Sequence, residues 1–197
     1  GLRKIIIIGE QAFMGQTAPS YQSSDAWGSS EIVLQDVLKS VGLGSDDLIN
    51  GYQPMLVNTG NSFVVIPIKS EAILAGIVPD QDAISQISEK LHLIGYYLFA
   101  MSPSDAETIA TTRMFAPRYA IPEESATGMA AGPLACYLHD VMDVQALRLK
   151  IAQGHFMAPP SASLITVDLE TAQDGKITSL TAGGFGRSMR DVKIALT

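Results

Sequence analysis

The segment Gly128-Met-Ala-Ala-Gly-Pro-Leu-Ala-Cys-Tyr-Leu138 decides the fold that this chain can adopt. Nearly every residue in it is apolar or small, and no polar face develops until Tyr137 and His139 are reached. A helix that is apolar all round must be buried on all sides, and its small residues let the surrounding backbone come close. We therefore predict a central helix over 128–138 that is enclosed by the rest of the domain.

The sequence around this helix is dominated by strand patterns. Runs rich in β-branched or aromatic residues, bounded by turn formers, predict strands at Lys4–Gly9, Met55–Asn58, Phe63–Ile68, Tyr96–Met101, Thr111–Phe115, Leu147–Ala152, Ser163–Leu169, Lys176–Ala182 and Asp191–Leu196. The pair Asp174-Gly175 lies between two of these runs and predicts a hairpin turn. Many strands around one apolar helix indicate an α+β fold in which a mixed sheet or barrel wraps around that helix.

Two further helices have ordinary amphipathic patterns. The first is predicted over Glu31–Ser40 with Ser29 or Ser30 as its N-cap. The second is predicted over Asp82–Leu91, with Asp80 in the capping position. Their apolar residues recur on one face only, so we place both helices on the surface and assign them no chemistry.

Composition excludes several classes of protein. The chain has 197 residues, 47% of them hydrophobic and 17% charged, which is typical of one globular domain with a sizeable core. A net charge of -7 provides no basic surface for nucleic acid or an anionic membrane, and no apolar run is long enough to cross a bilayer. No signal-peptide pattern opens the sequence, and one cysteine allows no internal disulfide, so we expect a cytoplasmic protein.

Two adjacent glutamates precede the central helix. Glu123 and Glu124 lie in a loop that leads to Thr127-Gly128, where the helix begins. The first N–H groups of a helix point outward in a positive potential, and glycine lets a ligand approach the backbone closely. A substrate carboxylate docked there would lie beside Glu124, which would move a proton. The alternative interpretation is that both acids only favour the helix N-terminus electrostatically.

The segment from Arg113 to Leu138 resembles the signature of the phenazine-biosynthesis (PhzF-like) isomerases. That signature is an acidic-Asp-Pro-Ala-Thr-Gly-Ser/Asn block after an Arg-x-Phe-x-Pro strand. Glu123 matches the leading acid, and 126–128 match the Ala-Thr-Gly core of the block. The resemblance extends along nearly the whole chain, through runs similar to those of the family at Val57–Gly60, 153–161 and 182–184.

Three positions depart from the family pattern. Glu124 stands where the family usually has aspartate, Ser125 replaces proline, and Met129 replaces a small polar residue. Glutamate is one methylene longer than aspartate, and a misplacement of about 1 Å can cost a hundredfold in rate. These departures favour an alternative function, a non-catalytic domain that binds small carboxylates or mediates an interaction.

The resemblance implies a fold, a reaction and a set of site residues. The fold implied is one half of a diaminopimelate-epimerase-like pair, and 1–197 are equivalent to the C-terminal domain of the family. The N-terminal catalytic domain is expected to be absent, because its Ser-Glu-Thr and Cys-Gly-His-Ala-Thr motifs do not occur in this sequence. The reaction implied is isomerisation of a small carboxylate metabolite by proton transfer, without cofactor or metal. Glu124 would assist catalysis, and the substrate would be bound at Thr59, Gly60, Thr127, Gly128 and Met129.

The same resemblance predicts how the chain behaves alone. The main base belongs to the absent half, so we expect no turnover by these 197 residues. An exposed interdomain surface would seek a partner, either a second copy in a homodimer or a separate N-terminal half.

Other chemically capable residues are assigned structural roles. Cys136 lies well inside the central helix and is interpreted as a core thiol. His92, His139 and His155 show no metal-ligand spacing, and only His155, which follows a matched Gln-Gly pair, is kept as a cleft candidate. The glycines of 183–186 lack dinucleotide-loop spacing and predict a bend in a strand.

Overall fold

The structure, a computed structural model, describes residues 3–102, 107–186 and 193. The strands of this part of the chain are β1 Ile5–Ile8, β2 Gln11–Thr17, β3 Ser20–Ser23, β4 Met55–Asn58, β5 Ser62–Ile68, β6 Gly95–Met101, β7 Ala110–Ala116, β8 Ile121–Glu124, β9 Arg148–Gln153, β10 Ser163–Thr171 and β11 Ile177–Phe185. Its α-helices are α1 Leu34–Lys39, α2 Glu71–Gly76, α3 Gln81–Lys90 and α4 Gly128–Asp140. Within the same residues, no helix combines the length and apolar content that crossing a membrane requires.

The described strands form one continuous mixed sheet. Its order is β1-β2-β11-β10-β9-β7-β6-β5-β4-β3, and β8 pairs with β7 off this path. The neighbours β5–β6 and β7–β9 are parallel, and the other pairs are antiparallel. Helix α4 contacts β2 and β11 towards one end of this path and β4 towards the other, so the sheet wraps around it. The end strands of this order are β1 and β3, and no ladder joins them among the described residues, so the sheet is open and the predicted barrel is not confirmed.

Helix α4 is buried as predicted. Every residue from Ala130 to Leu138 is buried, and Ala130, Leu134 and Cys136 are fully inaccessible. Gly132 explains how closely the sheet approaches, because a Cβ atom there would lie 2.3 Å from Oε1 of Gln16 on β2. The helix therefore fills the concave side of the sheet.

The outer face of the sheet carries the other three helices. Strand β5 is buried on both sides: Phe63 and Val65 pack in the core around α4, whereas Val64 and Ile66 pack in a second core with Leu74 of α2 and Ile84 of α3. The sheet is thus a middle layer between α4 and the outer helices.

Several predicted elements are corrected by the structure. Helix α1 begins after Val33, not at Glu31, because Glu31 has a positive φ of 59° and the Asp36 carboxylate caps Val33 N–H at 3.1 Å. Strands β2, β3 and β8 and helix α2 were not predicted, while Asp80 caps α3 as expected. The hairpin at Asp174-Gly175 is confirmed between β10 and β11. The strand predicted at Asp191–Leu196 lies outside the described residues, apart from Lys193.

Candidate functional site

A cavity of about 630 Å³ opens at the N-terminus of α4. Four of the predicted site residues line it, namely Glu124, Thr127, Gly128 and Met129. Much of the remaining lining is apolar and is contributed by Ile5, Ala12, Phe13, Met14, Ile94, Met114, Ile121, Ala126 and Ala182. The site therefore combines a helix start and one carboxylate with a largely apolar wall.

The two adjacent glutamates have different environments. Glu123 accepts two hydrogen bonds of 2.8 Å from Nε and Nη2 of Arg113, so its carboxylate is occupied by an ion pair. Glu124 lies at the end of β8, opposite Met114 in the register, and lines the cavity. One of its carboxylate oxygens accepts the N–H of Ser125 at 3.1 Å. Of the two acids, Glu124 is therefore the one that faces the cavity, and its predicted catalytic role stays a prediction.

A buried glutamine organises the segment between Glu124 and α4. Gln153 is fully inaccessible, and its Oε1 accepts the backbone N–H of Thr127 at 3.1 Å and the hydroxyl of Tyr97 at 3.0 Å. Its Nε2 donates to the carbonyl of Glu124 at 2.6 Å and to Oγ1 of Thr127 at 3.0 Å. All four hydrogen-bonding positions of the amide are satisfied.

A second glutamine supports the helix start from the other side. Nε2 of Gln16 donates to the carbonyl of Gly128 at 2.9 Å, and Oε1 accepts the hydroxyl of Thr59 at 2.5 Å. Thr59 is buried, and neither Thr59 nor Gly60 lines the cavity. The structure thus places Thr59 behind the helix start, where it supports Gln16, and the predicted substrate contacts of Thr59 and Gly60 stay a prediction.

The free donors of α4 are fewer than the sequence suggested. The N–H of Thr127 is taken by Gln153, and the N–H of Ala130 donates to the carbonyl of Thr127 at 3.0 Å. Among the described residues, the N–H groups of Gly128 and Met129 have no acceptor. The first N–H groups of a helix are orphan donors that attract anions. An anion at this site would therefore be bound by the amides of Gly128 and Met129.

Met129 gives the entrance of this site an apolar side chain. It is 37% exposed, and its Sδ accepts a hydrogen bond from Nδ2 of Asn61 at 3.3 Å. Where the family resemblance expects a small polar residue, this chain therefore places a thioether held by a neighbouring loop.

The remaining candidates lie elsewhere. Cys136 is buried, and burial raises the pKa of its thiol to about 12, so it is a neutral core residue as interpreted. His155 lines a separate cavity of about 470 Å³ that also contains Glu71, and its place as a cleft candidate stays a prediction. In the described ranges, no three His, Cys, Asp or Glu side chains gather in a group that could hold a metal ion.

Sequence reasoning missed the two supporting glutamines. Gln153 belongs to a matched Gln-Gly pair, and that pair was the available signal. Gln16 lies on a strand that was not predicted, so its inward direction could not be read from the sequence.

Comparison with known proteins identifies the family of this chain. The family model of the phenazine biosynthesis-like proteins matches residues 14–185, so the chain belongs to that family. It is 33% identical over 146 residues to the uncharacterized isomerase YddE of Escherichia coli strain K12, covering 72% of this chain and 48% of that protein. It is 29% identical over 127 residues to the trans-2,3-dihydro-3-hydroxyanthranilate isomerase of Pseudomonas chlororaphis, covering 64% of this chain and 41% of that protein.

Solved structures share the fold. A phenazine biosynthesis protein of the PhzF family from Bacillus anthracis superposes with a TM-score of 0.75 at 19% identity, covering 93% of this chain and 61% of the other. A probable proline racemase from Agrobacterium radiobacter K84 superposes with a TM-score of 0.54 at 13% identity, covering 95% of this chain and 54% of the other. The chain spans about half the length, or less, of the curated relatives it matches, from 34% to 52%.

Proposed function

We propose that this chain is the C-terminal domain of a cofactor-independent isomerase and binds the carboxylate of a small metabolite at the start of α4. The observation that carries the proposal is a pair of amides, Gly128 and Met129, that have no acceptor among the described residues and lie at a cavity that Glu124 also lines. The amides and the helix dipole attract the carboxylate, while Glu124 lies where a proton can be exchanged with the substrate.

The proposed reaction is a proton transfer from one carbon to another position of the substrate. Glu124 assists this proton transfer or orients the substrate. Its carboxylate can do so because one oxygen accepts only the Ser125 N–H and the other has no partner among the described residues. The resemblance assigns the main base to a glutamate of an N-terminal half. The proposed reaction uses no metal and no cofactor, and we propose a cytoplasmic location for the protein.

The apolar wall constrains the body of the substrate. The Pseudomonas relative is named for trans-2,3-dihydro-3-hydroxyanthranilate, a cyclic carboxylate. Side chains such as Ile5, Met114 and Ile121 line the cavity and would contact the carbon skeleton of a ring. This compound is therefore the first substrate to test.

Deuterium incorporation tests the reaction directly. Two proteins are compared: the product of the complete reading frame that contains this sequence, and the 197-residue chain. Each is incubated with trans-2,3-dihydro-3-hydroxyanthranilate in deuterated water, and the exchange of substrate protons for deuterium is followed by NMR. We expect the complete protein to catalyse exchange if it contains the N-terminal glutamate, and we expect Glu124→Gln to lower its exchange rate about a hundredfold. We expect no exchange with the chain alone, because its enclosed site is incomplete. Exchange by the chain alone that depends on Glu124 would contradict this proposal.

Met129 favours a second candidate, a domain that binds carboxylates without catalysis. Its side chain, held by Asn61, lines the cavity where the family has a small polar residue. If the complete protein binds a carboxylate at α4 but exchanges no substrate proton, this second function replaces the first.

We further propose that a second folded unit covers the cavity, in a homodimer or with a separate N-terminal half. Strand β1 is at one edge of the sheet and leaves Ile5, Ile7 and Ile8 56%, 75% and 61% exposed. Exposed apolar edges favour pairing with another chain. Light scattering is expected to give a dimer mass for the chain alone, and a monomer at high concentration would contradict the homodimer.

A further inference from the structure

The orientation of the Gln153 amide is fixed by two partners that cannot reverse their roles. The backbone N–H of Thr127 can only donate, and it faces Oε1; the carbonyl of Glu124 can only accept, and it faces Nε2. Exchanging the two ends of the amide would oppose a donor to a donor and an acceptor to an acceptor. Burial also raises the pKa of Tyr97, which keeps its phenol protonated and able to donate to Oε1.

This orientation determines what Thr127 can offer to a ligand. The second proton of Gln153 Nε2 is donated to Oγ1 of Thr127, so that oxygen is an acceptor towards Gln153. The hydroxyl proton of Thr127 must then point away from Gln153, and among the described residues it has no acceptor. Thr127 lines the cavity at the start of α4. Its hydroxyl is consequently a donor available to a bound molecule, whereas its backbone N–H is not.

We propose that Gln153 is the positioning residue of this site: it occupies the amide of Thr127, directs the hydroxyl proton of Thr127 to the substrate carboxylate, and ties Glu124 to the helix. The inference rests on the proposed function and refines it. The carboxylate is bound by two amides, of Gly128 and Met129, and by one side-chain hydroxyl. The hydrogen bond from Nε2 to the Glu124 carbonyl sets the position of β8 relative to that donor group.

Isosteric variants separate this role from simple packing. With benzoate as the probe and the 197-residue chain as the protein, Thr127→Val is expected to bind about tenfold more weakly and Thr127→Ser within about twofold, since one hydrogen bond to a charged group is lost only in the first. Gln153→Glu removes the two donors while keeping the shape. Its ionised form turns the Thr127 hydroxyl inward, so we expect a loss of about tenfold near pH 8.

The pH profile of that variant provides a signature that a packing role would not produce. Burial raises the pKa of a carboxyl group, and the protonated form carries a single proton, which restores the bond to the Glu124 carbonyl but not the second bond to Oγ1 of Thr127. Protonation also removes the negative charge beside the helix start, so the affinity of Gln153→Glu for benzoate should recover only in part between about pH 8 and about pH 5.5, whereas the wild type stays nearly constant. Gln145→Glu, the same change at an exposed position, is the matched control and should follow the wild type.

Hydrogen exchange in the ligand-free chain gives a second, independent measurement. The Thr127 amide is expected to exchange slowly in the wild type and much faster in Gln153→Ala, while Leu134 in the middle of α4 stays protected. Failure of the wild type to bind benzoate would overturn the proposed function. Equal affinities of Thr127→Val and Thr127→Ser, or a rapidly exchanging Thr127 amide in the wild type, would overturn the role of Gln153.

Discussion

Arg113 binds Glu123 through two parallel contacts of 2.8 Å, from Nε to Oε1 and from Nη2 to Oε2. Both side chains are largely withdrawn from solvent, with exposures of 8% and 16%. Nη1 of Arg113 also donates to the carbonyl of Ile77 at 2.8 Å, so the ion pair connects β8 with the end of α2. Glu123 therefore stabilises the fold, whereas the adjacent Glu124 lines the cavity.

Matched amide substitutions should separate these two roles. Glu123→Gln breaks a nearly buried, bidentate ion pair and should lower the free energy of unfolding by about 2–3 kcal/mol. Glu124→Gln retains an oxygen that can accept the Ser125 N–H, so its effect should stay within about 0.5 kcal/mol. Urea unfolding of the two variants measures the difference. Equal destabilisation would show that Glu124 also has a structural role.

Gly132 should be intolerant of a side chain. In Gly132→Ala the new Cβ would lie 2.3 Å from Oε1 of Gln16 and 2.7 Å from Cδ1 of Leu180. Gln16 cannot easily move, because it is bonded to both Thr59 and Gly128. We expect a loss of about 1–3 kcal/mol in unfolding free energy and weaker benzoate binding.

Gly76→Ala is the matched control for this substitution. Gly76 is also a helical glycine, and nothing lies within 4 Å of the added Cβ. Its stability should therefore change by no more than about 1 kcal/mol. If both variants behave alike, the close approach of α4 to β2 is not a constraint on this fold.

The central helix and most strands could be predicted because their signals are local. The uniform apolarity of 128–138 already predicted a helix buried on all sides, and α4 is buried from Ala130 to Leu138. Strand β3 could not be predicted from its polar residues, since it is exposed at a sheet edge and held by backbone pairing with β4. The same limit applies to the site: the helix start and Glu124 were visible, whereas the inward directions of Gln16 and Gln153 depend on strand pairing.

Stability should fall under alkaline conditions. Burial raises the pKa of the Cys136 thiol from 9.0 to about 12 and raises the pKa of Tyr96, Tyr97 and Tyr137 above their ordinary value. The unfolded chain therefore loses these protons at a lower pH than the folded chain. The stabilisation is fully present below about pH 9 and is lost progressively as the pH rises above that value.

Urea midpoints measured at about pH 8, 9.5 and 10.5 would follow this loss. Cys136→Ala should remove the earliest part of the decline, because the thiol has the lowest ordinary pKa of the group. A wild-type midpoint that is constant over this range would contradict the assigned burial of these groups.

The most direct test of carboxylate binding at the start of α4 is an NMR titration of the isotopically labelled chain with benzoate, with benzylammonium as a probe of similar shape and opposite charge. We expect benzoate to shift the backbone amides of Gly128 and Met129 most strongly, because among the described residues these two amides at the start of α4 have no acceptor. Benzylammonium should leave these two amides nearly unchanged. Equal responses to both probes, or shifts confined to other residues, would contradict a carboxylate site at the helix start.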